Sequence, residues 1–352
     1  MKKKVLVTGG LGFIGSHAVV ELINLDYDVI IIDDMSNSRL FILDNIQKIT
    51  GIRPQLYNKN IASSIDMSLI FEEEKNITAV IHLAAFKSIS ESVDLPLKYF
   101  KNNVYSVINL LELMKLFGIN TFIYTSSCTV YGDPNILPLK EDSLFHKALS
   151  AYGSSNQISE EIIAKTTYSS SLNSIVLRLF NPIGAHNSAL LGELSIGKPS
   201  NIMPSITLNC AGILNDLTVF GNDYSTFDGS CIRDYIHVTD VATAIVKSLD
   251  RLLHAENSNK YELFNIGTGK GISVLQLIHA FEKHNKVNIK YSFGERRSGD
   301  AAVLYADANL AKELLDWIPQ KSLKDMVVDA WNWQKHIYLT NNHAALDLLH
   351  TR

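Results

Sequence analysis

Gly9, Gly12 and Gly15 stand at Gly-x-x-Gly-x-x-Gly spacing, directly after the apolar run Val5-Leu6-Val7 and directly before a helix pattern at 16–25. Glycine is needed where a turn is tight, where backbone must approach a pyrophosphate, and where helix and strand pack closely. The helix that follows offers phosphates its first amides and the positive end of its dipole. Asp33 closes the next apolar run, at 29–32, 18 residues after Gly15. A carboxylate there accepts hydrogen bonds from both ribose hydroxyls and repels a 2′-phosphate, which favours NAD over NADP. Asp34 beside it strengthens that bias. The glycine spacing alone is a weak signal, since such turns also occur without a ligand. The order strand, turn, helix and acid carries the reading.

A second constellation pairs Thr125-Ser126-Ser127-Cys128-Thr129-Val130-Tyr131-Gly132 with Ala151-Tyr152-Gly153-Ser154-Ser155-Asn156. A phenol with a reference pKa of about 10 is mostly protonated near neutral pH and is then a poor base. Residues at i and i+4 share a helix face, so a cation assisting Tyr152 would project from position 156. That position holds Asn156, and no Tyr-x-x-x-Lys occurs anywhere in the chain.

The elements that must position these groups follow a regular alternation. Nearly continuous apolar runs at 5–7, 29–32, 79–83, 122–124 and 175–180 suit parallel strands covered on both faces. Helix patterns at 104–117 and 154–167 lie between them. The fold class is α/β, a doubly wound parallel sheet with a smaller discontinuous C-terminal lobe. Residues 1–182 plus about 235–268 are assigned to the dinucleotide-binding domain, and about 183–234 and 269–340 to the lobe. Segments at 235–249 and 262–266 read as returns to the main sheet, and 341–352 as a tail.

With 352 residues, 46% of them hydrophobic, the chain can bury a full core. A net charge of -4 and a pI near 6.3 argue against a nucleic-acid or membrane-surface binder. No run approaches the ~18 apolar residues of a membrane span, and the apolar run after Met1-Lys2-Lys3-Lys4 is too short for a signal peptide. Cys128, Cys210 and Cys231 fit reduced thiols in the cytoplasm. The eleven histidines show no metal-ligand spacing, so no metal site is expected. His17 and His82 read as packing or capping groups, Cys128 as a wall thiol, and Trp331 and Trp333 as helix packing.

The combination resembles the extended short-chain dehydrogenase/reductase superfamily and, within it, the UDP-glucose 4-epimerase family, from about residue 3 to about 333. The motifs lie at 9–17, 33–38, 82–92, 102–103, 126–132, 177–186, 220–224, 233–237 and 296–300. Dehydratases of this fold usually carry Asp or Glu beside the position of Thr129, and this chain does not. The resemblance implies that a tyrosinate takes the O4 proton of a UDP-sugar while NAD takes the C4 hydride. The keto sugar then turns over and the hydride returns to its other face. It implies Tyr152 as base, Ser127 as the hydroxyl on O4, and Asn156 in place of the usual lysine. Ser126 and Thr129 would shape that pocket.

By the same resemblance Phe13, Ile14, Asp33, Asn37, Ser38, Lys87 and Asn102 would line NAD beside the three glycines. Asn181, Asn201, Ile202, Phe220, Arg233, Arg297 and Asp300 would hold the uridine diphosphate. Asn60 falls near an adenine-contacting Asp of the family, and Leu179 stands where many relatives have Tyr. Lys87, Lys147 and Lys165 are candidate substitutes for the missing cation, with Lys87 preferred. Leu304, at the position that tunes pocket size, implies partial tolerance of N-acetylated sugars. A homodimer packed through helices such as 104–117 and 154–167 is also implied. Asn156 leaves a second reading open, a catalytically impaired NAD- and UDP-sugar-binding protein.

Overall fold

The computed structural model describes residues 2–297 and 299–340, so the tail expected at 341–352 lies outside the described residues. In chain order the strands are β1 Lys4–Thr8, β2 Asp28–Ile32, β3 Gln55–Tyr57, β4 Ile77–His82, β5 Thr121–Ser127, β6 Asn173–Leu179, β7 Asn181–Ile183, β8 Leu217–Phe220, β9 Ile232–His237, β10 Tyr261–Ile266, β11 Gly271–Ser273, β12 Tyr291–Gly294 and β13 Val303–Leu304. The main sheet is wholly parallel and runs β10-β6-β5-β4-β1-β2-β3.

Apolar side chains leave both faces of this sheet. Val5, Val7, Val29 and Ile31 join one core with helices Phe13–Asn24 and Val238–Leu253. Leu6, Ile32, Val80 and Phe122 join a second core with helices Ser64–Glu73 and Tyr105–Leu116. A sheet covered on both faces cannot alternate apolar with polar residues, which is why its strands read as continuous apolar runs. The order of connection reverses between β1 and β4, and a crevice opens at their carboxyl ends.

One expectation is corrected. Tyr235 does not return to the main sheet. β9 lies in a separate small sheet, flanked by β11, β13 and β7. Its sequence, Ile-Arg-Asp-Tyr-Ile-His, carries two charges that need polar partners when buried. In the lobe, buried Asp234 accepts from the backbone amides of Thr268 at 2.8 Å, Gly269 at 2.9 Å and Ala306 at 3.1 Å. The helix after β9 does pack on the main sheet, and β10 joins its edge beside β6.

The helix carrying Tyr152 spans Ala151–Tyr168 and so starts before the expected residue 154. Ser150 caps it, its Oγ accepting the Gly153 amide at 3.1 Å. Gly153 lies in this first turn, where glycine weakens a helix signal in the sequence. Its role is close approach: a Cβ there would lie 2.9 Å from the Thr129 carbonyl oxygen. The serine segment and the tyrosine helix are thereby pressed together.

Candidate active site

Two cavities meet at the crevice. The first, of about 500 Å3, is lined by Gly9, Gly12, Phe13, Ile14, Gly15, Asp33, Asn37, Ser38, Lys87 and Asn102, so the structure gathers all ten residues expected at the cofactor. Helix Phe13–Asn24 begins at Gly12 with no side-chain cap, leaving its first amides open towards this cavity. Gly15 cannot be larger, since a Cβ would sit 2.0 Å from the Gly9 carbonyl oxygen. Asp33 is buried and accepts from Leu11 N at 3.0 Å, Met35 N at 2.9 Å and Ser38 Oγ at 2.8 Å. Burial pushes its pKa up, against those three hydrogen bonds, which favour the carboxylate. Uncapped amides, a glycine cradle and a buried acid fit the pyrophosphate and ribose of a dinucleotide.

Asn60 does not line this cavity. Its amide donates to Asp34 at 3.3 Å and its Oδ1 accepts the Ala62 amide, while the neighbouring Ile61 reaches the wall. A π-helical turn at Phe100–Val104 carries Asn102, which donates to Asn103 Oδ1 at 3.0 Å. Asn103 grips both the amide and the carbonyl of Phe86 at 2.9 Å, fixing the loop after β4.

The second cavity, of about 240 Å3, shares Phe13, Ile14, Leu83, Ala85 and Lys87 with the first. Tyr152, Ser127, Asn156, Ser126, Thr129, Asn181, Asn201, Ile202, Arg233, Asp300 and Leu304 line it, as does Leu179. Phe220 and Arg297 do not. Arg297 stacks over the Phe220 ring at 4.2 Å and donates to the Ser200 carbonyl at 2.9 Å, so the two are occupied with each other beside the wall.

The second cavity suits an anion at one end. Arg233 is buried, and its nearest carboxylate, Asp300, is 3.7 Å away. Helix Ile202–Cys210 starts at Asn201 without a side-chain cap, so its positive end faces the same space. Leu304 pairs with Arg233 across β13 and β9 and is 5% exposed, closing the floor. The Cys128 thiol is pushed up to about 12 by burial and stays protonated, a wall group rather than a nucleophile.

Tyr152 stands on the wall of the second cavity. Burial raises its pKa, and the neighbouring Ser127 and Asn156 side chains act the other way. None of the three candidate lysines supplies the missing charge. Lys87 is paired with Glu193 at 2.7 Å. Lys165 sits in the last helical turn, 3.5 Å from Glu161, and Lys147 is exposed on the preceding loop.

Three positioning groups were missed in the sequence. Glu193 accepts from both Lys87 and Asn201, at 2.7 and 2.6 Å, and ties the two cavities together. It lies in a glycine- and proline-rich loop with no pattern to betray it. Arg178 and Glu160 form a buried ion pair at 2.8 Å, to which Ser126 Oγ donates at 2.5 Å. Arg178 was legible: a charge inside an apolar strand must have a partner.

Both His17 and His82 are buried, with pKa values lowered to about 3 by burial. His17 Nδ1 pairs with the Phe13 carbonyl at 2.7 Å, and His82 with Thr8 and Ser106 at 2.7 and 3.3 Å. The described cysteines are free, no described group of His, Cys, Asp and Glu could hold a metal, and no described helix is long and apolar enough to cross a membrane.

A parallel sheet with a glycine turn at its switch point and a tyrosine–serine pair across the crevice defines the extended short-chain dehydrogenase/reductase class. The sequence pattern of the family described as GDP-mannose 4,6 dehydratase matches residues 6–330. UDP-glucose 4-epimerase of Haemophilus influenzae is 43% identical over 333 residues, 94% of this chain and 97% of that protein. Among solved structures, UDP-glucose-4-epimerase from Stenotrophomonas maltophila, with bound NAD and formylated UDP-arabinopyranose, superposes with a TM-score of 0.91 at 42% identity, covering 96% of this chain and 99% of that one. The Bifidobacterium longum UDP-glucose 4-epimerase, in complex with NAD+ and UDP, gives 0.92 at 39% identity, covering 95% and 98%. This chain belongs to the UDP-glucose 4-epimerase family.

Proposed function

We propose that the protein interconverts UDP-glucose and UDP-galactose, with slowed turnover near neutral pH because Asn156 stands in place of a lysine. The observation that carries this reading is the position of Tyr152 and Ser127 on the wall of a cavity that shares five residues with the dinucleotide cavity. Asp33, the glycine turn, Asn37, Ser38 and Asn102 would hold NAD, which would supply a hydride acceptor and donor for the sugar. Arg233 and the start of helix Ile202–Cys210 hold the diphosphate, guanidinium and amides both suiting phosphate oxygens. Tyr152 takes the O4 proton, relayed by Ser127, and returns it after the sugar has turned over. Both relatives crystallised with NAD support the cofactor assignment.

Asp33 selects NAD over NADP by excluding a 2′-phosphate. Leu304 leaves room that a larger aromatic side chain would fill, so UDP-N-acetylglucosamine is accepted in part. The free thiols suit work in the cytoplasm. A homodimer is supported by exposed Tyr105 and Ile158, 44% and 41% exposed on two neighbouring helices; light scattering should give twice the 39.2 kDa chain mass.

The test is incubation with UDP-galactose, without added NAD, following UDP-glucose formation from neutral to alkaline pH. The expected result is turnover that rises with pH, with slower conversion of UDP-N-acetylglucosamine in a parallel assay. Exclusion of the N-acetyl sugar would overturn the Leu304 reading. Absence of turnover despite bound NAD and measurable UDP-sugar affinity would make the protein a binding protein, the alternative that Asn156 favours.

A further inference from the structure

The Asn156 amide has a defined orientation, and a residue outside the expected site sets it. The Tyr152 carbonyl can only accept, so the Asn156 group lying 3.1 Å from it is the NH2. Oδ1 therefore faces the other way, where the Tyr124 hydroxyl donates to it at 2.8 Å. Tyr124 is 3% exposed and lies on β5, on the same strand face as Ser126. Two residues along a strand advance about 6.6 Å, and four along a helix about 6 Å. Tyr124 and Ser126 can therefore meet Asn156 and Glu160 as two matched rungs between strand and helix.

We propose that Tyr124 is a positioning residue for the reaction: by donating to Asn156 Oδ1, its hydroxyl holds the amide NH2 towards the Tyr152 phenol and so favours the phenolate. One amide hydrogen satisfies the Tyr152 carbonyl and the other remains for the phenol. The Asn156 side chain acts on Tyr152 in this sense, against burial. An amide turned over would present its carbonyl oxygen instead and oppose ionisation. The structure thus supplies, through a phenol, part of the bias that a lysine would supply by charge. This inference rests on Tyr152 being the base.

The experiment uses the full chain and follows kcat and KM for UDP-galactose against pH in Tyr124→Phe, Tyr152→Phe, Asn156→Ala, Asn156→Lys and Tyr124→Phe/Asn156→Lys. Tyr124→Phe should move the rising limb of kcat up by about one pH unit, roughly tenfold less turnover at neutral pH, with KM unchanged. Adding Tyr124→Phe to Asn156→Lys should move nothing, because no amide is left to orient. An unmoved limb in Tyr124→Phe, or an equal shift in both backgrounds, overturns the inference. Should Tyr124→Phe not fold, Asn156→Ala decides: Tyr124 acts through Asn156, so an unmoved limb there also overturns it. Full turnover of Tyr152→Phe overturns the base assignment and this inference with it. Loss of turnover in Tyr152→Phe with no Tyr124→Phe shift overturns this inference alone.

Discussion

Tyr152→Phe should lower kcat by a factor of roughly 10² to 10⁴, the usual contribution of a positioned acid–base group, while binding of the UDP-sugar changes little. The substitution removes one oxygen and keeps the ring, which packs edge-on against Tyr99 with centroids 6.5 Å apart. The wall of the cavity therefore keeps its shape, and the loss reports on proton transfer rather than packing. The check is steady-state kinetics with UDP-galactose beside a binding titration with UDP. A variant that retains more than a tenth of the original kcat would remove Tyr152 from the role of base.

Asn156→Lys should do the opposite. A base works only when deprotonated, and burial raises the Tyr152 pKa. The phenolate fraction, and with it kcat, therefore climbs as pH rises through that raised value. An ammonium one helical turn away stabilises the phenolate, lowers the pKa and moves the rising limb to lower pH. Each unit of that movement is worth about tenfold near neutrality, or about 1.4 kcal/mol. At alkaline pH, where the phenolate is already formed, the two proteins should converge. A kcat ratio that stays constant even at the pH where both rising limbs have levelled off would show that the lysine acts by some route other than the Tyr152 pKa. The longer side chain gives up the Tyr124 contact and has the second cavity, which Asn156 lines, to extend into.

How far the sequence went can be read from particular residues. The dinucleotide cavity was legible because its determinants are local: Gly9, Gly12 and Gly15 lie in one turn, and Asp33 ends the adjacent strand. Backbone sterics and one carboxylate suffice to mark them. The substrate cavity draws on segments far apart in the chain, and there single residues are harder to place. Arg297 and Phe220 lie near one another as their motifs suggest, but they satisfy each other by stacking, a pairing invisible without coordinates. Tyr235 followed the strand pattern yet joined the lobe, because its neighbours Arg233 and Asp234 needed polar partners found only there. Lys87 was near the site as expected, but Glu193 occupies its ammonium, and nothing in a loop sequence foretells such a partner. The Tyr124–Asn156 contact joins positions 32 residues apart, and Tyr124 had passed for an ordinary apolar strand residue.

The adjacent hydroxyls that end β5 have unlike tasks. Ser126 donates a hydrogen bond to the Glu160–Arg178 pair, while Ser127 lines the second cavity with Tyr152. Consecutive strand residues point to opposite faces, so the division depends on registration with β6, where Ser126 lies beside Arg178 and Ser127 beside Leu179. Inserting or deleting one residue upstream in this strand would leave two serines side by side in the alignment, yet exchange their surroundings. The wrong hydroxyl would meet the sugar, and a buried carboxylate would lose its donor. Among descendants of this chain, length changes should therefore be tolerated in the loop between Gly132 and Ser150 and purged from the seven residues Thr121–Ser127.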